Sequence, residues 1–118
     1  MNTLSQYNEP SPAPTNWPGR KRLALSIVVN VEEGAEQSVR DGDPRPEPVD
    51  ELGVVLRKPQ RNLANESNYR YGIQAGAPRI LALLAEKNVT ATFTCAALSL
   101  ERAPDLAEQI IASGHEVC

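Results

Sequence analysis

The run LALSIVVNV, Leu23 to Val31, can be satisfied in few folds. It is nearly all apolar, short, and rich in β-branched residues. A strand buried on both faces fits that description, and such strands occupy the middle of parallel sheets covered by helices. Gly34 then supplies a turn.

The rest of the chain continues in the same sense. From Gly76 the spacing predicts a helix, because Pro78 suits a first-turn position whose nitrogen needs no intrahelical partner. Ile80, Leu81 and Leu84, with Ala77 and Ala85, form one apolar stripe, and Asn88 is a candidate left-handed cap. Val89 to Ala96 (VTATFTCA) alternates, with Val89, Ala91, Phe93 and Cys95 on one face and threonines on the other, which predicts a second strand. A second helix is expected over Ala103 to Ser113, opened by Pro104 and Asp105 and closed by Gly114, with a stripe of Leu106, Ala107, Ile110 and Ile111. His115 to Cys118 begins a third strand. Alternation of this kind predicts an α/β fold with parallel strands and right-handed crossovers.

Two stretches stand outside that alternation. Residues 1–18 read as a proline-rich arm, since Pro10, Pro12, Pro14 and Pro18 each remove a backbone donor, and Trp17 is expected to dock its end. Residues 35–68 read as a long polar loop containing Pro44, Pro46 and Pro48, with one short element at Leu52–Leu56. Loops of that length are usually functional or disordered.

Residues 19–118 therefore make one small domain or part of a larger one. A closed parallel barrel takes about 250 residues, so the expectation is the N-terminal part of one. Two strands and a short third leave sheet edges open, which invites aggregation or pairing with another chain.

Charge and composition exclude several classes. A net charge of −3 without a basic tract gives no footprint for nucleic acid or an anionic membrane surface. No apolar run approaches the roughly 20 residues that span a bilayer. The polar opening MNTLSQYNEPSPAPTN has no basic n-region before an apolar stretch, and Cys95 and Cys118 form neither a CxxC nor a disulfide framework, so a cytoplasmic setting is expected. His115 is the single histidine, which precludes a multi-histidine metal site within one copy. The first strand is followed by NVEEGAE rather than a G-x-G-x-x-G turn, so no dinucleotide cradle is visible.

Glu32 and Glu33 follow the first strand directly. In parallel α/β folds ligands bind beyond the carboxyl ends of the strands, where this pair would sit. One carboxylate could take a proton from water and the other could hold a metal or orient a substrate. The ordinary alternative is two solvated charges opening a loop.

The stretch WPGRKRLALSIVVNVEEGAEQSV, Trp17 to Val39, resembles the opening of the polysaccharide deacetylase (NodB-homology) family, whose first strand ends in an acid pair followed by glycine. The double-glutamate form is most similar to the allantoinase-type branch. NESNYRYGIQAGAPR, Asn65 to Arg79, is also similar to that branch, and IASGHEVC, Ile111 to Cys118, looks like the approach to the family's histidine box. The resemblance implies a (β/α) barrel-like fold and a hydrolase of carbon–nitrogen bonds outside peptides, in carbohydrate or ureide metabolism. Its substrates would be an N-acetylated sugar or a small ureide, its assembly a homo-oligomer, and a divalent metal would belong to the full-length family. It puts Glu32 at the general-base position and Glu33 at the metal-ligand position, where an extra methylene departs from the usual aspartate. Asp43 matches a Gly-Asp step, and Glu66, Ser67, Tyr71 and Gly72 would line or support the pocket. The metal histidines would lie beyond His115, so this chain by itself is expected to have little activity.

Other residues have ordinary readings. Tyr69 and Tyr71 would share a face in an extended segment and could stack on a planar ring or simply pack. Cys95 fills core, Cys118 has no base in evidence, His115 is hydrogen-bonded structure, and Arg70 and Arg79 are solvated surface. Two functional classes are open: an enzyme that attacks an amide or ureide carbonyl with activated water, and a non-catalytic half-domain that complements a partner chain.

Overall fold

Three short strands lie side by side in chain order: β1 (Val28–Val31), β2 (Thr92–Cys95) and β3 (Glu116–Val117). The computed structural model describes residues 17–47, 53, 55, 56 and 58–118. Both pairings are parallel, with Val28 to Val31 level with Thr92 to Cys95, and Thr92 and Phe93 level with Glu116 and Val117. Among the described residues four α-helices connect them: α1 (Leu63–Tyr71), α2 (Ala77–Lys87), α3 (Ala97–Arg102) and α4 (Pro104–Ala112). The expected α/β alternation is therefore present.

The core forms where β1 and β2 meet α2 and α4. Val31, Ala91 and Phe93 from the sheet side pack with Ala77, Leu81, Leu84, Leu106 and Ile110 from the helices. Phe93 and Ile110 are completely buried, and each such side chain stabilises the fold by roughly 1.5–3 kcal/mol. The alternation in β2 explains this, since Phe93 points into the core while Thr94 stays exposed and Thr92 donates to Glu116 across the ladder at 2.6 Å.

Both long core helices end in the same way. Asn88 is left-handed (φ 52°, ψ 51°), with its N–H donating to the Ala85 carbonyl at 3.0 Å and the Val89 N–H donating to Leu84 at 3.0 Å. Gly114 (φ 75°) repeats the pattern, its N–H on Ile111 and that of His115 on Ile110. These are Schellman caps, which satisfy the last carbonyls and turn the chain sharply back toward the sheet.

Several expectations are corrected. Strand pairing covers only the last four residues of the Leu23 to Val31 run, and Leu23 and Leu25 are 75% and 78% exposed. Among the described residues β1 has a neighbour on one side alone, so nothing extends the ladder back to them. The loop expected over residues 35–68 is shorter, because α1 begins at Leu63. Asn62 caps α1, its side chain accepting the Asn65 N–H at 3.2 Å. Helix then continues from α1 through a five-residue π segment, Gly72–Gly76, into α2. Tyr69 and Tyr71 are consequently on a helix, where residues two apart do not share a face. The short element expected at Leu52–Leu56 falls largely outside the described residues, as does most of the arm; Trp17 itself is 49% exposed rather than docked. Among the described residues no helix is long and apolar enough to cross a membrane.

Candidate active site

The chain leaves β1 at Val31, level with the end of β2 at Cys95. The next residues form a tight turn in which the Ala35 N–H donates to the Glu32 carbonyl at 3.1 Å and Gly34 takes φ 95°. Two anchors fix this turn to the β2 exit. The Ala96 N–H donates to Val31 O at 2.9 Å, and the fully buried Ser99 hydroxyl of α3 donates to Glu32 O at 2.8 Å.

This turn brings three acids to one cleft. Glu32, Glu33 and Glu36, together with Asn30 of β1 and Asn68 and Tyr69 of α1, line a cleft of about 290 Å³. Glu33 accepts the Glu32 N–H at 3.3 Å, and Glu36 accepts the Gly34 N–H at 2.6 Å. Burial holds the Glu36 carboxyl above the ordinary glutamate range, and the charges of Glu33 and Glu47 push it the same way, against the hydrogen bonds it accepts. A carboxyl kept protonated more readily beside two others is suited to store or deliver a proton. A second cleft of about 310 Å³ adjoins the first, with Glu36 and Tyr69 common to both and Arg40, Arg70 and Arg102 also lining it.

The residues singled out in the sequence are distributed unevenly about these clefts. Glu32 and Glu33 lie together in the first. Glu66 lines the second, paired with Arg61 at 2.5 Å, and that guanidinium holds its carboxyl below the ordinary range. Ser67 is exposed, and Tyr71 is 57% exposed with its hydroxyl accepting from Arg79 at 2.8 Å; neither lines either cleft. Gly72 lies against Glu33. Asp43 accepts the Ser38 N–H at 2.8 Å and so closes the following loop. Sequence reasoning gave no role to Glu36, Asn68, Ser99 or Arg102. Glu36 was legible in principle as a third acid just beyond a glycine turn.

Among the described residues no group of three His, Cys, Asp or Glu side chains is placed to hold a metal ion, the three acids of the first cleft included. The single histidine serves the sheet instead: His115 Nδ1 accepts the Ala91 N–H at 3.3 Å and the ring packs on Phe93 at 5.1 Å. Cys95 is half-buried, its thiol pushed up mainly by burial, and Cys118 Sγ lies 3.4 Å from Thr94 Oγ1.

No family model matches the chain. It is 35% identical over 116 residues to a Schizosaccharomyces pombe protein assigned to the polysaccharide deacetylases, covering 93% of this chain and 36% of that protein. Among solved structures it is similar to the PuuE allantoinase, with TM-score 0.78 and 38% identity over 92% of this chain and 37% of the allantoinase. A Pseudomonas aeruginosa structure assigned to the polysaccharide deacetylases gives TM-score 0.77 and 35% identity, again over 92% of this chain and 37% of that one. The chain thus spans a little over a third of the length of each relative. The α/β order, the parallel sheet and these likenesses show that most of this chain resembles part of the polysaccharide deacetylase (NodB-homology) and allantoinase-type proteins.

Proposed function

We propose that this chain carries the water-activating acids of a hydrolase acting on carbon–nitrogen bonds outside peptides, with an N-acetylated sugar or a small ureide as substrate. The observation that supports this is the convergence of Glu32, Glu33 and Glu36 in one cleft at the carboxyl end of β1. In this reading Glu32 takes a proton from water as the water oxygen bonds to the carbonyl carbon. The resulting tetrahedral oxyanion collapses with loss of the C–N bond, and a carboxyl proton goes to the leaving nitrogen. Glu33 orients the water or substrate and Glu36 holds a proton in reserve. Asn68 and Tyr69 offer polar groups in the same cleft. Glu66, Ser67 and Tyr71 remain in the proposal as substrate-side residues, Glu66 from the adjoining cleft.

The chain by itself is proposed to have little activity. Grafting residues 17–118 in place of the matching segment of the PuuE allantoinase gives the test. The chimera is expected to turn over allantoin or an N-acetylated sugar, and Glu32→Gln to lower kcat by about 10²- to 10⁴-fold. A folded, active chimera that keeps its rate after Glu32→Gln would remove Glu32 from the chemistry. An ordinary enzymatic rate from the ungrafted chain would overturn the proposed inactivity.

One observation favours a second reading, a half-domain that complements a partner chain. Among the described residues the outer edges of β1 and β3 are unpaired, and Leu23, Leu25, Val28 and Val117 are exposed beside them. Sedimentation as a folded monomer at every concentration would count against it.

A further inference from the structure

Helix α3 touches the acid turn at two places and reaches the acidic cleft at neither. Ser99 lies at the start of this short helix with no exposure at all. A hydroxyl buried that completely needs a partner, and Ser99 finds it in the Glu32 carbonyl at 2.8 Å, the same oxygen that accepts Ala35 N–H to close the turn. Arg102, three residues on and so on the same side of the helix, donates from Nη1 to Gly34 O at 2.5 Å and to Glu36 O at 3.4 Å. Its guanidinium also stands 3.9 Å from the carboxylates of Asp41 and Asp43. The helix packs so close that a Cβ on Gly34 would lie 3.8 Å from Ser99 Cα.

We infer that Ser99 and Arg102 are positioning residues, which hold the Glu32–Glu36 turn from behind so that its three carboxyls face the cleft. Both act through main-chain oxygens of the turn, and both line the adjoining cleft rather than the acidic one. The planar fork of Arg102 spans two carbonyls and two carboxylates of one loop. A lysine ammonium keeps the charge but lacks that span. This assignment rests on the proposed role of the acid turn, and its test uses no turnover, so failure of the hydrolytic reading and failure of the clamp are separable.

The test reads the Gly34 amide by NMR in the full 118-residue chain. Because Gly34 N–H donates to the Glu36 carboxylate at 2.6 Å, its proton resonance follows the titration of Glu36. The other charged or titratable groups around Glu36 are Glu32, Glu33 and Glu47 from its own loop, Arg40 and Asp41 beyond it, Glu66, Tyr69 and Arg70 from α1 and Arg102 from α3. Arg102→Lys, which conserves charge, is expected to remove most of the pH-dependent step at Gly34. Ser99→Ala is expected to reduce it while leaving Glu32 O its bond from Ala35. Leu84→Ala, a core change on α2, is expected to lower the melting temperature and leave the step intact. The clamp is overturned if Arg102→Lys and Ser99→Ala both keep the full step, or if Leu84→Ala diminishes it as much as they do.

Discussion

Gly72 stands directly against the side chain of Glu33: a Cβ at Gly72 would come within 2.8 Å of Glu33 Cγ and Cδ and 2.9 Å of Oε1. The glycine is not there for its backbone, which is ordinary right-handed helix at φ −54°, ψ −49°. It is there for space, at the start of the π segment between α1 and α2. The position therefore sets where the second acid of the pair can go.

Gly72→Ala is expected to leave the chain folded, since alanine suits a helix better than glycine by about 1 kcal/mol and the obstructing group is a flexible side chain. Glu33 must swing aside. In the allantoinase chimera the variant should lose turnover by up to about 10²-fold, the scale of a misplaced catalytic group. Melting and kcat measured on one preparation check this. Full activity would show that Glu33's position is unimportant.

The raised Glu36 carboxyl gives a stability prediction with a definite sign. Its proton is held more tightly in the folded chain than in the unfolded one. The associated stability is complete below the ordinary glutamate range and is lost as pH rises through the raised value. Glu36→Gln, whose side-chain carbonyl can still accept the Gly34 N–H, has no such loss. Urea titrations across pH should find the variant gaining on the wild type from acid toward neutral pH. A constant difference would show that burial does not penalise the Glu36 charge.

Glu66 should behave in the opposite way. Its carboxyl is lowered chiefly by the Arg61 hydrogen bond, so the pair contributes above the ordinary glutamate range and loses its contribution as pH falls through the lowered value. The Glu66 side chain is 12% exposed and that of Arg61 is 49% exposed, so solvent screens the pair and its contribution is small. Arg61→Gln should lower the melting temperature slightly at neutral pH, with the difference fading in acid and at high salt.

The same sequence that displayed β1 and the acid pair concealed two of the helices around them. Periodicity reports apolar burial, and it located Phe93, Leu81, Leu84, Leu106 and Ile110 because those side chains form the core. In α1 the buried residue is Asn65, and Leu63 is 66% exposed, so no apolar stripe marks the element. In α3 the buried residue is Ser99, held by a hydrogen bond rather than by packing. Glu32 and Glu33 were readable as candidates from their place after a strand. That Glu36 folds back to join them depends on a turn closed by Ala35 and braced from α3, contacts across 66 to 68 positions of chain that no local pattern reports.

Asn88 offers a change that should stabilise the chain. It occupies the left-handed region at φ 52°, where a side chain costs roughly 1–2 kcal/mol and asparagine somewhat less. Asn88→Gly keeps both capping N–H bonds and should raise stability by up to about 1 kcal/mol, while Asn88→Val should lower it by about 1–2 kcal/mol. Chemical denaturation of the three chains checks the ordering.

The parallel register of β1 and β2 has one further consequence. With Val31 level with Cys95, the two exits leave the sheet at the same height, and the acids are fixed by main-chain bonds to β2 and α3. The described stretch from Gln37 to Glu47 adds no apolar residue to the core. Scaffold and specificity are therefore separable parts: that stretch could lengthen at a closure cost of only about 0.6 kcal/mol per doubling, reshaping the mouth of the cleft while the acids stay where the sheet puts them. A change in what the cleft admits would then need new loops and no new fold.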